Sequence, residues 1–432
     1  MEDIGTRKSK ARAWKDYENP DALRRFTLFM FTNYKGELKW MEESTDNTED
    51  ILSAGVGIDG SSVGLASHDK SDVLLMPDVD TGRKFNMEDE DIYSFFCQVK
   101  TWDEEHHPMD PRTILARVIE KGRKLKYMVE MFSELEFYIT TDAGEPIDKG
   151  SYLESGEHDK SLKFRRELCH LYESAGIRVK RLHHECGPGQ NEIELQLQEV
   201  MRNCDNTILG WYLMEALARK YTWRVNKFPK PWPELAGSGL HQHILLRHLD
   251  GTNAMLGEGL SISEIGRKFI AGLIKYSADI VAVFATSIET FQRLKPGFEA
   301  PVYSYWGKAS RNALIRIPSV GMATREKVRC EFRAGDASGS PHLMCAMIYA
   351  AGLKGIEDDL ECPPSWEDTV GNLIAGGPEL LKKHGAQVLP HTHAECAQIL
   401  KDSPFIKEVL PELMINKLIE IQLSLKEIEE KK

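Results

Sequence analysis

"SELEFYIT", residues 133–140, sets Glu134 and Glu136 two apart in a run that otherwise reads as a buried strand. Side chains alternate between the two faces of a strand, so these carboxylates share one face. The run before it, "KYMVEMF" (126–132), is also largely apolar. Unpaired carboxylates are costly to bury, and two close together repel each other. Either the face is wet, as on an ordinary edge strand, or something positive sits against it.

The rest of the chain narrows that choice. With 432 residues, 41% hydrophobic and 28% charged, it can bury large cores, and two or three domains are expected. A net charge of −12 argues against nucleic acid or an anionic membrane as the main partner. The eight cysteines form no CxxC pair and no framework spacing, which argues for reduced thiols over structural zinc or disulfides. The N-terminal "MEDIGTRKSKARAWKDYENPD" has no apolar h-region, and no stretch approaches ~18 uninterrupted apolar residues, so a soluble, cytoplasmic protein is expected.

Residues 25–40, "RFTLFMFTNYKGELKW", read as two strands joined by a turn, and "DVLLM" and "DIYSFFCQVKTW" as further strands. Asp110 before Pro111 predicts a helix start, and the domain boundary is placed there, giving 1–109 and 110–432. The second part mixes strands and helices without a regular βαβ rhythm, the mark of an antiparallel-rich α+β fold. Helices are predicted over 158–176, 199–220, 261–287, 341–357 and 394–427. Strands are predicted over 130–139, 179–186, 191–198, 241–247, 311–317 and 327–333.

Four further stretches gather charge. In "HHECGPGQNEIELQLQ" (183–198), a Gly/Pro turn brings Glu185 near Glu192, and Glu192, Glu194, Gln196 and Gln198 are expected on one face. In "KVRCEFRAGD" (327–336), Arg329, Glu331 and Arg333 share a face, either as cross-strand ion pairs or as a mixed anion and cation site. "AGSGLHQHILL" (236–246) puts His241 and His243 on one face, with Gly237 and Gly239 allowing close backbone approach. "FQRLKPGFEAPVYSYWGKASRNALIRIP" (291–318) sets Arg293, Arg311 and Arg316 around a Pro/Gly-rich loop bearing Glu299. An oxygen-rich donor set suits hard divalent cations such as Mg²⁺ or Mn²⁺, and fixed guanidiniums beside them suit phosphoryl transfer.

Taken together, "IDGSS" (58–62), "SELEF", "HHECGPGQNE", "KPWPELAGSGLHQH", "RLKPGFEAPVY", "SRNALIRIP" and "RCEFRAGD" resemble glutamine synthetase, type I, in the family's order from about residue 25 to 427. The resemblance implies a small N-terminal β-grasp-like domain and a large catalytic domain with an antiparallel half-barrel. It implies ATP-dependent phosphorylation of the γ-carboxylate of glutamate, followed by displacement of phosphate by ammonia or a larger amine. Two Mg²⁺ or Mn²⁺ ions are implied, one at Glu136, Glu185 and Glu192 and the other at Glu134, His241 and Glu331. Arg293, Arg333 and Gly237 match residues that hold glutamate. Arg311 and Arg316, with His243 and Arg329, match those at the nucleotide phosphates. Glu299 matches a flap acid that takes a proton from the incoming nitrogen. Asp59 and Ser62 match a loop lent by a neighbouring subunit of a dodecamer.

Several positions depart from the family pattern. Ala236 stands where Asn is usual, Leu245 where Ser is usual, and "SRNA" (310–313) replaces "NRSA". Ser340, Pro341 and His342 replace "NPY", while Leu65 and Ala66 take the place of an aromatic. No counterpart of the adenylylated tyrosine stands around 372–380. Metal and arginine positions are intact while the surroundings of the amino acid and amine differ, as expected of a relative that ligates a different amine or acid. The competing classes are a catalytically inactive relative, serving as an assembly or an amino-acid or nucleotide sensor, and an unrelated metal hydrolase.

Overall fold

The computed structural model describes residues 25–431, apart from 88, 89, 104, 298, 309 and 319–326. The N-terminal segment read above as lacking an apolar leader lies outside the described residues. No helix among the described residues is long and apolar enough to cross a membrane.

Six strands build the first sheet: β1 (Arg25–Thr32), β2 (Leu38–Ser44), β3 (Val56–Asp59), β4 (Asp72–Pro77), β5 (Arg83–Met87) and β6 (Glu90–Thr101). Their order is β2-β1-β6-β4-β3, with β5 also on β6, and β1 runs parallel to β6. This is the β-grasp part, and Phe29, Phe95, Phe96 and Val99 lie fully buried in its core.

The second sheet has nine strands. They are β7 (Tyr127–Thr141), β8 (Val179–His184), β9 (Gln190–Leu195), β10 (Gln198–Glu199), β11 (Trp223–Asn226), β12 (Leu240–His248), β13 (Trp306–Lys308), β14 (Ile315–Ile317) and β15 (Cys330–Phe332). Its order is β13-β14-β15-β12-β7-β9-β8, with β10 and β11 also on β7. All pairings are antiparallel except β13 with β14. The sheet curls into a half-barrel with helices behind it, so the chain is α+β as expected.

The alternation read in "SELEFYIT" explains how β7 sits. Met131, Ser133, Leu135 and Phe137 are buried against the helices, while Glu134 and Glu136 on the opposite face are half-buried. Behind β7, the Ser133 N–H donates to Asn203 Oδ1 at 3.1 Å, tying the strand to helix Val200–Lys220.

Asp110 caps helix Pro111–Lys124 as expected, accepting from the Arg112 and Thr113 N–H groups at 3.2 Å. It also accepts from Val99 N–H at 3.2 Å, which joins the first sheet to that helix. Arg112, fully buried, donates to Asp205 Oδ1 at 3.0 Å and Oδ2 at 2.9 Å, and to Asp78 at 3.1 Å; His342 contacts Asp205 at 2.9 Å.

Some element boundaries differ from expectation. The helix expected over 261–287 is two, Glu264–Lys275 and Ser277–Phe284, divided at Tyr276. That expected over 394–427 is three, His393–Asp402, Pro404–Val409 and Glu412–Glu429, because Pro404 and Pro411 lack the N–H a continuing helix needs. The strand expected over 311–317 shrinks to Ile315–Ile317. The one expected over 191–198 ends at Leu195, so Glu192 and Glu194 share a face without Gln196 and Gln198.

Candidate active site

Strand register assembles the site. Across the sheet, His183 on β8 faces Glu192 on β9, which faces Glu136 on β7. A second row runs Arg181, Glu194, Glu134 and His241. A third runs His243, Glu331 and Arg316. Three neighbouring rows therefore deliver acids and imidazoles to one concave face, as period-two alternation requires.

The contacts follow from the rows. Glu134 lies 2.6 Å from His243 Nε2 and 3.1 Å from His241 Nδ1. Glu136 accepts from Gly239 N–H at 2.7 Å and lies 3.5 Å from His241 Nδ1. Glu185 lies 3.2 Å from His183 Nε2. Glu331 is clamped by Arg316 at 2.8 Å and by Arg333.

Donor atoms within 4.8 Å of one another form three groups among the described residues: Glu134, His243 and Glu331; His183, Glu185 and Glu192; and Glu134, Glu192 and Glu194. Glu134 thus groups with Glu331, and Glu185 with Glu192, while Glu136 falls in none of the three groups. His243 stands in the first group where His241 was expected, and His183 stands in the second where Glu136 was expected.

Electrostatics divides these acids. Burial would raise Glu331, yet Arg333 and the histidines hold it at about 2. Burial also opposes ionisation of Glu134, but His243 and His241 keep it well below the usual carboxylate range. Glu185 is likewise lowered against burial by His183 and Cys186. Glu192 goes the other way. Burial, then Glu134, Glu136, Glu185 and Glu194, push it well above its ordinary value. A buried carboxylate ringed by carboxylates lacks positive charge, so this oxygen-rich set fits hard divalent cations.

An open cavity of about 340 Å³ lies over the rows. Its wall carries Arg293, Arg311, Arg316 and Arg333, with Gly237, Ala236 and Glu299. Buried Arg293 donates to the carbonyls of Ala334 at 2.9 Å, Gly335 at 3.1 Å and Arg333 at 3.0 Å, and its Nη2 lies 3.2 Å from His241 Nε2. Gly239 makes this packing possible: a Cβ there would sit 2.5 Å from His241 Nε2 and 2.6 Å from Arg293 Nη2. Glu299 is exposed on its loop with φ 38°, 3.4 Å from Arg311 Nη1. Arg329 lies beside the cavity and donates to His243 Nδ1 at 3.0 Å.

Asp59 and Ser62 do not line this cavity. Exposed Asp59 accepts from Ser61 N–H at 2.9 Å, Ser61 Oγ at 2.7 Å and Ser62 Oγ at 2.7 Å, and these bonds lower its carboxyl to about 2.

The sequence reading passed over His183, Tyr152, Lys180, Arg181 and Glu194 as site residues. His183 precedes Glu185 by two on β8, and Glu194 follows Glu192 by two on β9, so period two could have found both. Tyr152, edge-on to the His183 ring with centroids 5.5 Å apart, comes from a loop and carries no periodic signal.

A family model described as the glutamine synthetase catalytic domain matches residues 108–431, and one described as the glutamine synthetase β-grasp domain matches 24–102. Glutamine synthetase of Mycobacterium tuberculosis is 31% identical over 401 residues, spanning 90% of this chain and 89% of its own. A ligand-free structure of GmaS superposes with TM-score 0.84 at 21% identity over 94% of each chain. A cryo-EM structure of Plasmodium falciparum glutamine synthetase gives TM-score 0.85 at 20% identity, over 100% of this chain and 97% of that one. For the two solved structures the likeness is one of fold.

Proposed function

The chain belongs to the glutamine synthetase family, and from that premise we propose that it joins an amine to the γ-carboxylate of glutamate through γ-glutamyl phosphate, with ATP as phosphoryl donor. The single observation that carries this reading is the convergence of Glu134, Glu136, Glu185, Glu192, His241 and Glu331 beside the guanidiniums of Arg293, Arg311, Arg316 and Arg333.

Two Mg²⁺ or Mn²⁺ ions held by those acids and histidines, His183 and His243 included, would supply positive charge to the nucleotide's terminal phosphates. In this reading Arg333 and the Arg293 edge of the cavity hold glutamate with its γ-carboxylate toward the acids. A γ-carboxylate oxygen attacks the terminal phosphorus, and ADP leaves. Arg311 and Arg316 steady the charge spread over the phosphoryl oxygens in flight. The amine nitrogen then attacks the acyl carbon, phosphate leaves, and Glu299 takes the released proton. The exposed position of Glu299 on its loop suits an acid that closes over the intermediate.

Asp59 and Ser62 act in this reading on a neighbouring copy, in a cytoplasmic dodecamer whose chains divide between residues 109 and 110. The nucleophile is ammonia or a larger amine, and Ala236 in the cavity wall favours an amine or acid other than the usual pair.

Phosphate release and product mass are measured with ATP, Mg²⁺ and glutamate plus ammonia, methylamine, polyamines or aromatic amines. Release that depends on one amine, with the matching γ-glutamyl product, is expected. No release across the panel overturns the ligase reading in favour of a sensor.

A further inference from the structure

Beside the acid rows lies a pair of cations that the reaction above does not use. Lys180 and Arg181 are consecutive on β8 and would ordinarily point to opposite faces. An irregularity in the β8–β9 register between Val179 and Arg181 breaks that alternation, and both side chains reach the same acid. Arg181 Nη1 donates to Glu194 Oε1 at 2.8 Å, and Lys180 Nζ to Glu194 Oε2. The acid is buried, its side chain 3% exposed, whereas Lys180 is 33% and Arg181 60% exposed at the rim.

Arg329, matched above to the nucleotide phosphates, lies against the same ring as Lys180. Lys180 Nζ lies 4.2 Å from the Phe132 ring centroid, and the Arg329 guanidinium carbon lies 5.3 Å from it. His243 stacks on Phe132 at 4.1 Å, and Glu194 is among the charges acting on Arg329. Lys180 and Arg181 thus share one carboxylate, and the trio carries an excess of about one positive charge at ordinary pH. The neighbouring acid rows have the opposite imbalance. Two adjoining surfaces, one short of anions and one short of cations, match a metal-bound polyphosphate.

We propose that Lys180 and Arg181 form an accessory grip for the nucleotide's phosphate chain, kept in place by Glu194, which fills the anion position until nucleotide arrives. The proposal rests on the ligase reading and deepens it. When ATP binds, phosphate oxygens take over the donors of Lys180 and Arg181, and Glu194 releases them. Glu194 is therefore a competitor of the phosphate chain, and its removal acts in the opposite sense to removal of the cations.

The test is calorimetric binding of ATP, ADP and AMP with Mg²⁺ to the full chain, together with KM and kcat for ATP and glutamate. Lys180→Met and Arg181→Met are each expected to raise the KM for ATP about tenfold, the size of one charge-assisted hydrogen bond, with kcat and the glutamate KM moving far less. The loss is expected to be larger for ATP than for AMP, flattening the affinity ladder, and Lys180→Arg is expected to keep the ladder. Glu194→Gln is expected to tighten ATP binding.

A structural role for the cations would weaken all three nucleotides and glutamate alike, and that result overturns the proposal. So does an unchanged ATP-to-AMP ratio in both cation variants, or weaker ATP binding in Glu194→Gln. If the unaltered chain itself binds no ATP, the ligase reading falls as well, which separates the two failures.

Discussion

Replacing Glu192 by Gln tests the crowding of acids most directly. Oxygens of Glu134, Glu192 and Glu194 lie within 4.8 Å of one another. At that separation one like-charge pair costs about 3.5 kcal/mol with an effective dielectric near 20. Glu194 is offset by Lys180 and Arg181, and Glu134 by two histidines, but the neighbours that weigh most on Glu192 are carboxylates. After discounting for partial protonation and for relaxation, Glu192→Gln is expected to stabilise the metal-free protein by about 1–2 kcal/mol, or about 1–2 °C in Tm. Mg²⁺ at a hundred times its Kd would add about 2.7 kcal/mol to the unaltered protein and much less to the variant. The order of the two melting temperatures therefore inverts between EDTA and saturating Mg²⁺. Scanning calorimetry in both conditions reads this out. A variant that melts lower in EDTA, or that gains as much from Mg²⁺, would refute the reasoning.

Other outcomes follow from features away from that crowding. Burial would raise Asp205, but Arg112 and His342 hold its carboxyl at about 2, below its ordinary value. Its contribution to stability is present above the ordinary carboxyl range and is lost as pH falls from about 4 toward 2. Arg112→Met, which strands that buried carboxylate, is expected to cost about 3–5 kcal/mol in urea unfolding at pH 7 and to cost less as Asp205 protonates. Gly239→Ala is expected to destabilise by about 1–3 kcal/mol and to raise the glutamate KM, because the new methyl meets His241 and Arg293. Glu299→Gln is expected to leave Tm within about 1 °C, since the side chain is exposed, while amine-dependent turnover falls about a hundredfold; unchanged turnover would remove Glu299 from proton transfer.

Much of this arrangement was legible because it rests on strands. Alternation alone put Glu134 with Glu136, His241 with His243 and Glu331 between two arginines, and the sheet register did the rest. What alternation could not supply was the interruption at Val179 and Arg181, which turns Lys180 toward Glu194 against the strand rule. Nor could it supply which of His241 and His243 groups with Glu134 and Glu331, which depends on side-chain reach. Helix ends near Pro404 and Pro411 were missed because an apolar period continued through both prolines, and the lost N–H outweighs that pattern. Tyr152 reaches the cavity from a connection, where no period exists to read.

Strand β7 pairs with β9, β10, β11 and β12, so four other segments take their alignment from one stretch of backbone. A single residue inserted near Glu134 would swap the parity of every position beyond it, driving acids into the oily interior and Leu135 into the cavity. Length changes are thus forbidden in that segment and tolerable in the connections that carry Ala236 and Glu299. Those connections can be remodelled while the acid-bearing floor of the cavity keeps its spacing.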